Sequence, residues 1–233
     1  MRKMPMMERK NVMPGDVIAS GDFRYGSYIE KRGDQYVALR LGLAEVSSDG
    51  IRLNPLTGPY LPRVEDQVVG KVIDAPGFGW VVDINSCFTG YLPASFVFGR
   101  DFSPATHDLS TKFVVGDIMG ARIESFERAR DPQLSIRGPG LGKITSGVII
   151  KMSPTRVPRL IGKRGYMVNM VSSLTNCDLK VGQNGVVVVA GPEEGVAKVA
   201  QVISMIENEA QGADLTRNVQ DFLGGGEQVG NQA

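Results

Sequence analysis

The chain has 233 residues, with 26 Lys and Arg set against 25 Asp and Glu, one histidine and two cysteines. So even a charge balance excludes recognition of a polyanion by bulk charge, and this length allows one to three domains. Cys87 and Cys177 cannot supply a Cys₄ zinc site or a disulfide framework, so no metal and no cofactor are expected, and both thiols are expected to lie buried in apolar strands.

Residues 1–62 predict a small all-β domain. Val12-Met-Pro-Gly-Asp-Val-Ile18 reads as a strand after a proline turn, followed by strands at 36–39, 42–46 and 51–53, with Ser48-Asp-Gly50 as a hairpin turn. About fifty residues bury only a marginal core, so this domain is expected to lean on another surface. Residues 63–137 predict five short strands: 68–73, 79–84, 90–92, 115–123 and 133–137. Their spacing suits a small barrel. Arg137-Gly-Pro-Gly-Leu-Gly-Lys143 ends like a nucleotide loop, but a Walker motif needs glycine at Arg137 and a hydroxyl at Ile144. Residues 138–144 are therefore expected to be a glycine-rich linker.

Residues 145–211 carry the most specific signal. A β-branched run, Gly147-Val-Ile-Ile-Lys-Met152, precedes Ser153-Pro154, which suits a helix N-cap with proline in the first turn. Met167, Met170, Val171 and Leu174 recur at helical spacing, two strand-like runs (177–181 and 186–190) flank Gly182-Gln-Asn-Gly185, and Val196, Val199, Ile203 and Ile206 stripe a last helix. Between the first two helices stands Gly162-Lys-Arg-Gly165. Glycine admits close backbone approach, the second helix offers free N–H groups, and Lys163 and Arg164 add charge, which together suit a clamp on a nucleic-acid backbone. Residues 212–233, rich in Gly, Gln and Asn, predict a flexible tail in which 214–223 could form a short helix on a partner.

The order β-α-Gly-Lys-Arg-Gly-α-β-β-α resembles a type I KH domain, whose GXXG loop clamps single-stranded RNA or DNA. The motifs Gly70-Lys-Val72, Gly77-Phe-Gly-Trp-Val-Val-Asp-Ile84, Gly90-Tyr-Leu92 and Leu134-Ser-Ile-Arg137 resemble an S1 domain, an OB-type barrel of RNA-binding proteins. That resemblance implies stacking of bases on Phe78, with Trp80, Phe88 and Tyr91 on the same face, and phosphate contacts from Lys71, Arg122 and Arg137. Pro93 stands where many S1 domains carry histidine, so backbone contact or pore lining is expected in place of base recognition.

Taken together with Met13-Pro-Gly-Asp-Val-Ile-Ala19, Leu41-Gly-Leu-Ala-Glu-Val46 and Pro55-Leu-Thr-Gly-Pro-Tyr60, the chain resembles the S1/KH cap subunit of the archaeal exosome. The other exosome cap protein pairs its barrel with a zinc ribbon, which two cysteines cannot make. The resemblance implies a multidomain protein, β-rich plus α+β, that is not an enzyme. It implies a trimeric cap, shared with other cap subunits, held by N-terminal domains on a hexameric RNase PH-like ring, with the barrels around the pore. The protein would capture RNA and feed it to the phosphorolytic 3′–5′ RNase ring, with adenine-rich tails among its substrates. The alternatives are a free-standing single-stranded RNA-binding protein of translation or mRNA control, and a nuclease. The inventory disfavours the nuclease, because no carboxylate or nucleophile motif accompanies the single histidine, His107. No apolar run is long enough to span a membrane, and Arg2, Lys3, Arg9 and Lys10 precede no apolar segment, so a cytoplasmic location is expected.

Overall fold

The computed structural model describes residues 8–99, 101–127, 129–208 and 215–224. The chain divides into two units, Met1–Gly58 and Pro59–Ala233. In the first, β1 (Glu8–Val12), β2 (Val17–Ser20), β3 (Ile29–Arg32), β4 (Gln35–Ala38), β5 (Gly42–Ser47) and β6 (Gly50–Pro55) form two antiparallel sheets, ordered β1-β5-β6 and β2-β4-β3. The single strand expected over 12–18 is two strands. The Met13 N–H donates to Asp16 Oδ2 at 2.8 Å and the Asp16 N–H to the Met13 carbonyl at 3.0 Å, closing a turn between them. β3 was not expected, since Ile-Glu-Lys-Arg holds one apolar residue, Ile29, which is buried. Val12, Ile29, Tyr36, Ala38, Ala44, Ile51 and Leu53 form the core between the sheets. Tyr36 brings a hydroxyl into that core, and it donates to the Phe23 carbonyl at 2.8 Å while accepting the Phe23 N–H at 3.1 Å. The polar tip is thus satisfied and the ring contributes its full apolar area.

The second unit opens with a closed barrel of five strands: β7 (Gln67–Asp74), β8 (Gly79–Asp83), β9 (Thr89–Pro93), β10 (Ile118–Glu127) and β11 (Arg130–Ser135), with α1 (Ala94–Phe98) following β9. The strand order β11-β9-β8-β7-β10 is closed by a β10–β11 pairing. The bridge Gln133↔Tyr91 between β11 and β9 is parallel; the other pairings are antiparallel. Val68, Val72, Trp80, Val82, Leu92, Met119, Ile123 and Leu134 point inward and fill it. The expected linker 138–144 is only partly a linker. Its last residues form β12 (Gly142–Ile144), which pairs with the start of β10 (Ile118↔Ile144), and Lys143 pairs with Asp117 at 2.5 Å.

The remainder is a type I KH domain: β13 (Val148–Lys151), α2 (Val157–Ile161), α3 (Tyr166–Thr175), β14 (Asp178–Val181), β15 (Val186–Ala190) and α4 (Glu193–Asn208), with sheet order β13-β15-β14. Leu160, Met167, Val171, Val199, Ile203 and Ile206 cover one sheet face, against Val187 and Val189. Val186 and Val188 face the other way and meet Val69 of the barrel. The unbroken valine run is thus a strand buried on both faces. Leu174, expected in the stripe, is 44% exposed. Ser153 makes no side-chain cap. Pro154–Arg156 forms a 3₁₀ turn ahead of α2, and the Ser153 hydroxyl lies 2.9 Å from Thr155 Oγ1.

Two further expectations need correcting. Part of the expected tail is α5 (Leu215–Gly224), which buries Val219 and Leu223 in the KH core of this chain, and so does not await a partner. The rest of 212–233, residues 212–214 and 225–233, lies outside the described residues. Cys177 is buried as expected, but Cys87 is exposed in the β8–β9 loop. Among the described residues, no helix is long and apolar enough to cross a membrane.

Candidate nucleic-acid interface

The segment 162–165 forms a tight loop between α2 and α3. Gly162 (φ 72°), Arg164 (φ 55°, ψ 29°) and Gly165 (φ 78°) all have positive φ. For arginine this conformation costs about 1 kcal/mol, so the surrounding packing imposes it. The need for glycine at 162 is steric as well as conformational. A Cβ there would stand 2.7 Å from Met167 Cβ and 2.9 Å from Met167 N. The loop thus lies flat against the first turn of α3, which begins without a side-chain cap and whose first N–H, that of Tyr166, donates to the Lys163 carbonyl inside the loop itself. Lys163 and Arg164 are exposed, and neither takes part in an ion pair among the described residues. Two unpaired cations on a fixed, close-approach backbone suit phosphate oxygens.

Beside this loop lies a cavity of about 440 Å³, lined by Gly162, Lys163, Arg164, Tyr166, Met167 and Thr216. Tyr166 is 57% exposed. Tyr166, the first residue of α3, is not singled out in the sequence, since it stands four residues before Met170 at the edge of the apolar stripe. Nothing in the sequence pointed to Thr216, which reaches the loop because α5 docks on the KH core.

The barrel residues separate into groups. Phe78, in the β7–β8 turn, is 67% exposed. Tyr91 lies opposite Val81 and beside Gln133, with its ring over Gly79, where a Cβ would stand 2.9 Å from the phenol Cζ and Oη. The Tyr91 ring thus lies beside the residue that follows Phe78. Trp80 does not join them. It is fully buried, and its Nε1–H donates to the Phe113 carbonyl at 3.1 Å, because alternation along β8 sends its ring inward. Phe88 is half-buried and packs edge-on against Phe126. Arg137 is exposed with its guanidinium 5.4 Å from the centre of the Phe96 ring on α1, which follows β9 directly. Lys71 is exposed opposite Asp83, on the outward face that also carries Val69. Arg122 is committed elsewhere: Nη1 lies 3.3 Å from Glu65 and Nη2 3.6 Å from Glu124. Of the seven expected barrel contacts, Phe78, Tyr91, Lys71 and Arg137 remain accessible to a strand.

The barrel and the KH domain are held together by the β14–β15 hairpin. Pairing of β7 with β8 ends at Lys71↔Asp83, and beyond it the buried side-chain amide of Asn184 takes the place of a strand partner. Its Nδ2 donates to the Val69 carbonyl at 2.7 Å and the Ile84 carbonyl at 2.8 Å, and its Oδ1 accepts the Val69 N–H at 3.2 Å. Gln183 adds a reciprocal pair with the Gln67 backbone at 2.7 and 2.8 Å, and Asn85 Nδ2 donates to the Asn184 carbonyl at 2.9 Å. The hairpin tip is thus a docking element inside one unit.

Known proteins share this arrangement. A family model described as the exosome RNA binding protein RRP4 N-terminal domain matches residues 9–57, and a KH domain model matches residues 147–205. The exosome complex component Rrp4 of Nitrosopumilus maritimus is 44% identical over 93% of this chain and 96% of its own length. That of Sulfurisphaera tokodaii is 38% identical over 95% of this chain and 91% of its own. A crystal structure of an exosome complex RNA-binding protein superimposes with a TM-score of 0.66 at 33% identity, covering 72% of this chain and 97% of that one. With an N-terminal β domain, an S1-like barrel and a KH domain in that order, this chain belongs to the Rrp4 family of exosome complex components.

Proposed function

We propose that this protein is a non-catalytic RNA-binding subunit of the exosome, which captures single-stranded RNA and passes it to a phosphorolytic 3′–5′ RNase ring. The observation that carries the reading is the Gly162–Gly165 loop, where Lys163 and Arg164 stand exposed, with no ion-pair partner among the described residues, on a backbone shaped for close approach. Phe78 and Tyr91, with Arg137 and Lys71, form a second RNA contact on the barrel, where stacking is tolerant of sequence. The N-terminal unit docks on the hexameric ring beside the other cap subunits. Its exposed Met13, Val17, Tyr25, Leu39 and Leu41 offer apolar side chains for such a contact. No reaction is assigned to the chain itself. Its one histidine, His107, packs against Phe98 and Phe102 with ring centroids 5.1 and 5.7 Å away.

The test uses the full chain with labelled single-stranded RNA, Mg²⁺ and phosphate. The expected result is binding without cleavage, weakened when Lys163 and Arg164 are both replaced by aspartate, and assembly with the RNase ring by native mass measurement. Sustained degradation by the chain alone, or unchanged affinity of the double variant, overturns the corresponding part of the reading.

A further inference from the structure

The helix α5 lies beyond the region matched by the KH family model, residues 147–205, yet it supplies a wall of the cavity beside the Gly162–Gly165 loop. Leu215, Val219 and Leu223 repeat at a spacing of four and fix α5 to the KH core, which holds the neighbouring Thr216 at the cavity lip. The remaining walls are chemically varied. Met167 and Gly162 line it with apolar surface, Tyr166 offers a largely exposed ring, and Lys163 and Arg164 bring two cations that have no ion-pair partner among the described residues. A volume of about 440 Å³ falls in the range of small-ligand sites. An aromatic ring beside two cations and a hydroxyl matches one nucleotide unit: a base that stacks, phosphates that pair, and a sugar edge that hydrogen-bonds.

We infer that α5 and the Gly162–Gly165 loop together form a pocket for one nucleotide of a single-stranded RNA, with the base on Tyr166 and Thr216 at the sugar–phosphate edge. This rests on the reading that the loop contacts RNA and adds to it a subsite that needs the appended helix. Because Thr216 is exposed and lies outside the core stripe of α5, its charge can be changed without disturbing the docking of the helix.

The test measures binding of the full chain to a fluorescein-labelled oligoadenylate, together with the thermal unfolding midpoint of each variant. Tyr166→Ala is expected to weaken binding by roughly fivefold or more, the loss of one stacked base. Thr216→Asp is expected to weaken it and Thr216→Arg to strengthen it, each by a few-fold, with unfolding midpoints unchanged. The Lys163→Asp, Arg164→Asp double variant is the reference. If it loses binding while Tyr166→Ala and both Thr216 variants bind as the parent does, the α5 pocket is refuted and the loop contact stands. If the double variant also binds normally, the loop reading itself fails.

Discussion

The side chain of Asn184 carries a load that its exposed-looking Gly-Gln-Asn-Gly context does not suggest. Replacing it with alanine removes three hydrogen bonds and strands three backbone groups: the Val69 N–H and the carbonyls of Val69 and Ile84. Each buried group left unsatisfied costs about 1–3 kcal/mol, and partial rehydration of the opened site offsets some of this, so the expected loss is about 3–5 kcal/mol. For a unit of this size the unfolding midpoint should fall by roughly 10 °C. The design of the assay follows from the fold. Trp80 is the only tryptophan and sits in the barrel core, while α2 to α5 all belong to the KH domain, so fluorescence follows the barrel and far-UV circular dichroism follows mainly the KH helices. In the parent the two signals should change together for this unit; in Asn184→Ala they should separate. Asn184→Asp keeps the shape but turns two donors into acceptors facing carbonyl oxygens. Its carboxyl should hold its proton in the folded state, so the stability of that variant is greatest in acid and falls as pH rises. A loss below about 1 kcal/mol with coincident transitions in Asn184→Ala would refute the argument that this amide couples the two domains.

Four other outcomes are expected. Replacing Lys163 and Arg164 with glutamine should lower the slope of log affinity against log salt by about 1.4, at about 0.7 per phosphate contact on a single strand, as read from titrations at several salt concentrations. Phe78→Ala should weaken RNA binding with little change in the unfolding midpoint, whereas Trp80→Ala should cost about 3–5 kcal/mol in denaturant unfolding, because only the latter opens a core cavity. Gly162→Ala should destabilise the KH domain more than Gly165→Ala in the same assay. Both have positive φ, but only the former Cβ collides with Met167, the nearest atom to the latter being Asn169 Nδ2 at 3.7 Å. Burial raises the carboxyl of Asp66 above its ordinary value, more than the hydrogen bond from the Tyr60 hydroxyl (2.7 Å) lowers it. Its contribution to stability is therefore full in acid and lost as pH rises through the raised value, and Asp66→Asn, which keeps an acceptor for Tyr60, should flatten the pH dependence of the unfolding midpoint across that range.

The sequence made the architecture legible because the periodicities are strong and the glycines sit where the chain must turn. Gly162-Lys-Arg-Gly165 could be placed between two helices from its flanks alone. What stayed hidden has physical reasons. Phe78 and Trp80 are two residues apart, so alternation groups them on one face, but β8 begins only at Gly79 and Phe78 lies in the turn before it, so the barrel buries one and exposes the other. The pairing of β12 with β10 joins residues 144 and 118, and no local pattern in a glycine-rich stretch announces such a contact. Asn-Gly in the β14–β15 loop signalled a hairpin through its backbone preference, but the destination of the asparagine amide, at Val69, depends on how the domains meet. Arg122 looked available as a cation until the fold brought Glu65 alongside it. The errors share a form: the residue type was read correctly, and its partner came from far along the chain.

The hairpin lock changes what the two proposed RNA contacts can do together. Two sites joined by a flexible glycine linker would bind one strand with an effective concentration set by the linker's wandering. Here β12 holds the end of that linker to the barrel, and the Asn184 amide, the Gln183 pair and the Val69, Val186, Val188 contact hold the KH domain to the same strand, β7. Phe78, Tyr91 and the Gly162–Gly165 loop are therefore carried on one body at a fixed separation. An RNA long enough to reach both gains the second contact without ordering a linker, while one too short gains nothing from it. Affinity should thus rise in a step with oligonucleotide length, and Asn184→Ala, by freeing the two domains, should blunt the step while leaving the affinity of the shortest strands unchanged.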